Sequence, residues 1–248
     1  MLVYKGKIIN CKRNHMKIDA VKLGRIEYAE ALTLQQKLLA LRQQEKIKDT
    51  LLLVEHDPVL TIGSSGSASN ILLPRELLKE NGIDVYEVNR GGDVTYHGPG
   101  QIVGYPVMNL KNYGSDLRSF MWRMEDVFVH LLREQYFVEA YRDEKKYTGV
   151  WVGNDKITAV GVAVRKWVSM HGFAFNVNTD LEHFRWINPC GITDRGVTSL
   201  KKILGHDMDF EKINNQVAEY FCRTFEAECC FEEKSHFLSR IENISVEE

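Results

Sequence analysis

Cysteine, net charge and long apolar runs are all scarce in this 248-residue chain. Its five cysteines, Cys11, Cys190, Cys222, Cys229 and Cys230, are odd in number and scattered. That pattern excludes a disulfide framework and fits a reducing compartment, where one thiol can be kept for chemistry. No C-x-x-C and no H-E-x-x-H occurs, so no metal site is predicted. The formal charge of −2 gives no electrostatic case for a nucleic-acid partner. No apolar run reaches the roughly 18 residues of a membrane span. The first 20 residues are basic but lack the apolar core of a secretory signal. Met1–Ile18 holds no serine and a single arginine, unlike a mitochondrial transit peptide. A cytoplasmic location is therefore expected. No Pro- or Ser-rich linker divides the chain, which predicts one domain.

What is present is a run of alternating element signals. Ala20–Ile26 reads as an edge strand. Tyr28, Ala31, Leu34, Leu38 and Leu41 recur at steps of three and four, predicting a helix over Glu27–Gln44. Thr50–Val54 is a short apolar run, hence a buried strand. Gly63–Asn70 is small and polar and predicts a loop. Pro74 opens a short helix over Arg75–Glu80, and the strand Asp84–Asn89 follows. Asp116 is a candidate N-cap for a helix whose stripe is Leu117, Phe120, Met121, Met124, Val127, Phe128, Leu131 and Leu132. Phe137–Tyr141 is a strand candidate. Gly149–Val152, a Gly153-Asn154-Asp155 turn and Lys156–Arg165 make a strong hairpin signal, and Val168–Asn178 continues it as a third strand. Asp180–Gly196 is irregular. Asp209 caps a last helix, and Glu226–Phe231 reads as a closing strand. Residues 1–17 form an unassigned N-terminal extension. The glutamate-rich tail 232–248 has no predicted element. Helices intermix with hairpins, which predicts an α/β (α+β) single domain: a mixed, largely antiparallel central sheet flanked by helices.

The most informative stretch is Arg90–Pro106, R-G-G-D-V-T-Y-H-G-P-G-Q-I-V-G-Y-P, with five glycines and two prolines in 17 residues. Glycines this dense cost backbone entropy. Between two strands they suit a sharp turn or a backbone laid against a ligand. Thr95, Tyr96 and His97 add hydroxyl, phenol and imidazole at the exit. Cys190 sits between Pro189 and Gly191, in a loop where a thiol is accessible, although a cysteine is as often a small apolar filler. A thiolate nucleophile needs a nearby cation or a helix N-terminus. Lys156, opening the strand I-T-A-V-G-V-A-V, supplies one candidate. From the residues alone, a lysine in this position is more often a solvated hairpin lysine.

Four ordered motifs carry a resemblance: R-G-G-x-x-T-Y-H-G-P-G-Q-x-V-x-Y-P, then G-V-W-V-G-x-x-K-I-x-x-x-G-V, then H-G-x-A-x-N-V, then N-P-C-G-I. Together they resemble the lipoyl(octanoyl) transferases, the lipoate-protein ligase B type. They span Arg90–Gly191, with weaker agreement from Ala20 to Leu204. One departure is H-G-F-A-F-N-V, where the family usually has leucines in place of Phe173 and Phe175. The resemblance implies the biotin/lipoate protein ligase-like superfamily and a catalytic domain over 18–231.

The activity it implies is octanoyl transfer from octanoyl-acyl carrier protein, through a cysteine thioester, to one lysine of an apo lipoyl domain. The implied acceptors are the E2 subunits of 2-oxoacid dehydrogenases and the glycine cleavage H protein. The implied catalytic pair is Cys190 and Lys156. The implied acyl-substrate positions are Arg90, Gly91, Gly92, Asp93, Val94, Thr95, Tyr96 and His97, then Ala159, Val160 and Gly161, then Gly172, Phe173 and Ala174. His171 is a supporting residue. Neither ATP nor a metal is implied, and no membrane. A lipoate or biotin ligase of the same superfamily is the nearest rival; it would form an acyl-adenylate and need no cysteine. A non-catalytic lipoyl-domain binder is a third reading.

Overall fold

Thr50–Val54 offers no polar face to water, and the chain buries it on both sides. Leu51 and Leu53 enter one hydrophobic core; Leu52 and Val54 enter another. This alternation of faces makes the molecule a sheet between two helical layers. The computed structural model describes residues 16–143, 147–188 and 195–246, with the backbone of two short strands before them.

In chain order the elements are β1 (Val3–Tyr4), β2 (Lys7–Ile8), β3 (Met16–Arg25), α1 (Tyr28–Gln43), β4 (Asp49–Glu55), β5 (Val59–Ile62), α2 (Arg75–Glu80), β6 (Asp84–Glu87), β7 (Val94–His97), β8 (Gln101–Val107), α3 (Leu117–Tyr136), β9 (Tyr141–Arg142), β10 (Val150–Val152), β11 (Asp155–Arg165), β12 (Val168–Asn176), β13 (Gly196–Val197), α4 (Leu200–Leu204), α5 (Phe210–Thr224), β14 (Ala227–Glu232) and α6 (Lys234–Glu242). The main sheet runs β14-β3-β4-β8-β12-β11-β10-β9, with β13 beside β11. The joins β14–β3, β3–β4 and β11–β13 are parallel and the others antiparallel. The sheet is thus mixed and largely antiparallel, as expected. A second sheet, β6-β5-β7, stands apart over its own small core of Leu60, Ile62, Leu78, Ile83 and Val94.

Helices α3 and α5 cover one face of the main sheet, around Phe120, Phe128, Leu131 and Phe221. Helices α1 and α6 cover the other, around Leu38, Leu41, Phe237 and Ile241. The Asp116 cap is as predicted: its carboxylate accepts the Arg118 N–H at 2.9 Å. Three sequence expectations are corrected. The strand read as an edge at Ala20–Ile26 is internal, because β14 pairs along it. The strand placed at Phe137–Tyr141 shrinks to Tyr141–Arg142, because Phe137 ends α3 in the left-handed conformation (φ +54°). The tail, for all its glutamates, contributes α6, whose Phe237 and Ile241 are fully buried.

Candidate active site

The glycine loop is held by its own arginine. Arg90 is buried and spends its guanidinium on the chain: Nη2 donates to Thr61 O at 2.8 Å and to Asp93 O at 2.7 Å, and Nη1 donates to Gly91 O at 3.1 Å. The loop then docks on two sides. Gly91 N–H donates to Val162 O on β11 at 2.9 Å. Gly63 N–H and Ser65 N–H donate to Asp93 O and Gly92 O. These approaches require glycine. A Cβ on Gly63 would stand 2.3 Å from Gly92 O, and one on Gly161 would stand 2.6 Å from Gly91 O. The Asp93 carboxylate accepts from Ser67 N–H at 3.1 Å and from the Asn70 side chain. Gly63–Asn70 is therefore tied down against the glycine loop, not swung out as a free surface loop.

Between this loop and strands β11 and β12 lies a cavity of about 500 Å³, a size usual for small-molecule sites. Its wall takes in Arg90–Thr95, His97, Ala159–Val162 and His171–Ala174, together with Tyr28, Leu117 and Met121. Thirteen of the fourteen residues expected to bind the acyl substrate thus lie on one wall. Tyr96 is the exception. Its ring stacks on His183 at 4.9 Å and meets Phe184 edge-on at 5.4 Å, and its hydroxyl covers Gly98. Phe173 lines the cavity with a ring lying over Gly104, where a Cβ would come within 2.0 Å of it. This aromatic fills space that the neighbouring strand leaves bare.

Two histidines in the wall are kept neutral at physiological pH. His97 donates from Nδ1 to Gln101 Oε1 at 2.8 Å, which leaves Nε2 an acceptor. Burial, with His56 and Arg90 nearby, lowers its pKa to about 3. His171 sits at φ +57°; its ring bonds Asn89 Oδ1 at 3.0 Å and its N–H bonds Gln35 Oε1 at 2.8 Å. Burial first, and Arg90 second, lower its pKa to about 4. Both serve as uncharged hydrogen-bonding groups.

Lys156 lines the cavity, and a β-bulge aims it there. The β10–β11 register slips by one residue, so Val150 faces Thr158 while Trp151 faces Lys156. The extra residue, Ile157, goes into the core; such slips re-aim a side chain. The lysine stem runs over Gly149 (φ +120°), where a Cβ would lie 3.3 Å from Lys156 Cε. Its ammonium is 4.8 Å from the Trp151 ring centre. Beneath this corner is Glu125 of α3, 4% exposed, accepting the Gly149 N–H at 2.6 Å. Sequence reasoning missed both Glu125 and Gln35. Each is a polar residue on an apolar helix stripe, between Met121 and Phe128 and between Ala31 and Leu38, and that misfit was the available signal.

Burial raises the Glu125 carboxyl to about 7, against the Gly149 hydrogen bond and the Lys156 charge, which lower it. From pH 4.5 to about 7 the unfolded chain has lost this proton while the folded chain keeps it, so stability falls as pH rises. Glu125→Gln removes that slope. Relative to wild type, the variant is expected to gain about 2 kcal/mol, or about 5 °C in Tm, on going from pH 5 to pH 8. Thermal melts at the two pH values check this; an equal offset at both refutes it.

Cys190 lies outside the described residues, as do its neighbours from 189 to 194. Its flanks are described. Asn188 N–H donates to Asn70 O at 2.8 Å, and β13, just past Arg195, pairs with Asp155 and Lys156. Among the described residues no group of His, Cys, Asp or Glu is gathered as a metal site, and no helix is long and apolar enough to cross a membrane.

Residues 27–222 match the lipoyl protein ligase A/B catalytic domain. The chain belongs to this family. An octanoyltransferase of Caldicellulosiruptor saccharolyticus is 54% identical over 233 residues, covering 94% of this chain and 99% of that one. Another, from Desulforamulus reducens, is 56% identical over 213 residues, covering 86% and 93%. A lipoate-protein ligase A solved with ATP bound shares the fold at 19% identity, with a TM-score of 0.68 over 92% of this chain and 95% of that one. The superfamily expected from the four motifs is thus the one observed, and the chain is an acyltransferase.

Proposed function

We propose that the chain transfers the octanoyl group of octanoyl-acyl carrier protein to one lysine of an apo lipoyl domain, by way of a thioester on Cys190. The observation that carries this reading is the cavity itself. Its wall is mostly apolar with bare glycines, Lys156 lines it, and the chain flanking Cys190 pairs beside that lysine. A saturated chain needs no charged partner; at about 0.8 kcal/mol per buried CH₂, an octanoyl tail gains roughly 5 kcal/mol there.

In the first half-reaction the Cys190 thiolate attacks the donor carbonyl. The carrier's sulfur leaves and takes up a proton. In the second, the neutral ε-amine of the acceptor attacks the Cys190 thioester, loses a proton and expels the thiolate. Lys156 favours the thiolate by its charge and relays those protons. Thioester exchange is nearly balanced and aminolysis of a thioester runs downhill, so neither step calls for ATP or a metal. The reaction belongs to the cytoplasm, and the acceptors are the E2 lipoyl domains and the glycine cleavage H protein. Thr95 and His97 position the acyl group, and the backbone N–H of Gly191, or of the glycine loop beyond Gly91, is suited to hold a developing oxyanion.

A nucleotide-free assay tests this. Incubation with octanoyl-acyl carrier protein and an apo lipoyl domain is expected to add one octanoyl group to one acceptor lysine, read by intact mass. An absolute requirement for ATP would make the protein a ligase instead.

A further inference from the structure

A second cavity, of about 620 Å³, adjoins the first, and Lys156, Phe184 and Val197 line both. The two differ in chemistry. The first is mostly apolar. Among its described lining residues the second carries four cations, Lys156, Arg185, Arg195 and Lys202, against one carboxylate, Glu182. Glu182 meets Arg185 at 2.8 Å. Arg195 Nη2 meets Asp143 at 3.0 Å, yet its Nη1 is buried without a hydrogen-bond partner. The Arg195 guanidinium and the Lys156 ammonium lie 4.6 and 4.8 Å from the centre of one ring, Trp151. Lys156 therefore marks the junction of an apolar chamber and a basic one.

A thioester held at that junction has two arms. Its alkyl arm belongs in the apolar chamber. Its sulfur and everything beyond must leave by another route, and the basic cavity is the one on the far side of Lys156. In acyl carriers that arm is phosphopantetheine: two amides, then a phosphodiester with one negative charge. We propose that the second cavity seats this arm, with Arg185 and Lys202 at the phosphodiester and the spare Arg195 N–H on an amide carbonyl. The inference rests on the proposed function. Charge complementarity decides the occupant. The acceptor's lysine, a cation until it loses its proton, would enter a chamber whose described lining holds four cations against Glu182 and the Asp143 on Arg195, whereas a phosphodiester offsets that surplus of two. A basic entry also draws an anionic donor from solution.

The test compares two small donors, octanoyl-4′-phosphopantetheine and octanoyl-pantetheine, which differ only in the phosphate. Single-turnover loading of the full chain is followed by intact mass. Wild type is expected to load the phosphorylated donor about tenfold faster at equal low concentration, the gain open to two exposed cations. The double variant Arg185→Gln, Lys202→Gln should load both donors at the rate wild type shows with octanoyl-pantetheine. That unchanged rate doubles as the control for folding. Equal loading of both donors by wild type, or a preference that survives in the variant, overturns the inference and leaves the proposed function standing. Loading by neither donor, nor by octanoyl-acyl carrier protein, overturns the thioester route and this inference with it.

Discussion

Cys190→Ser is expected to carry no octanoyl group after incubation with the acyl donor, where wild type gains one. Serine keeps the shape and removes the ionisable thiol. An alcohol is scarcely ionised at neutral pH, and a nucleophile that is not ionised depends wholly on a neighbouring base. Overall transfer should fall by about a thousandfold or more, a barrier increase of at least ~4 kcal/mol. The site gives no other described cysteine a claim on this chemistry. Cys222 is buried on α5, and Cys229 and Cys230 sit on β14 at the opposite edge of the sheet from β10 and β9. Intact mass before and after acceptor addition reads the result. An octanoyl adduct of wild-type size on the serine variant would move the covalent step elsewhere.

The sequence made the fold legible wherever period and burial agree. The two-sided strand at Thr50–Val54 and the α3 stripe from Phe120 to Leu132 read correctly because, Glu125 apart, polarity there matches the face, whereas Leu117 is exposed and lines the cavity with Met121. Reading failed where pairing partners decide. No residue of β3 announces that β14 will run beside it, so an interior strand looked like an edge. β7 was hidden because the glycines around it dominate the local signal. The site shows the same division. The wall residues sit in motifs and were found by resemblance; the props behind them do not. Gln35 and Glu125 read as blemishes on apolar stripes, and only the folded chain shows what they reach: the His171 N–H on one side of the sheet and the Gly149 N–H on the other. One helix from each layer thus sends a polar group toward the site, the first to a strand that lines the cavity, the second to the turn beneath Lys156. Arg90 and Asp93 teach the converse. The resemblance put both among the acyl-substrate positions, yet their hydrogen bonds go largely into folding the glycine loop.

Lys156→Met is expected to raise the pH at which Cys190 is half-alkylated by one unit or more, and to slow thioester formation about a hundredfold or more. Methionine is the informative replacement because the lysine stem is packed: it passes over Gly149 and beside Trp151. An unbranched thioether keeps that contact while removing the charge and the exchangeable proton. The sign follows from the charge alone. A cation beside a thiol stabilises the thiolate, so the wild-type thiol ionises at lower pH and removing the cation moves the midpoint up. The wall histidines do not blur the measurement, since burial holds them neutral down to about pH 4 and below. The other cysteines are separated by following the peptide that contains Cys190. Arg195 offers a second cation near the same ring, which gives the experiment a built-in rival. If Arg195→Met shifts the alkylation midpoint and Lys156→Met does not, the thiolate is held by the arginine. The lysine would then act only on protons, and its loss would appear in the transfer rate with the midpoint unmoved.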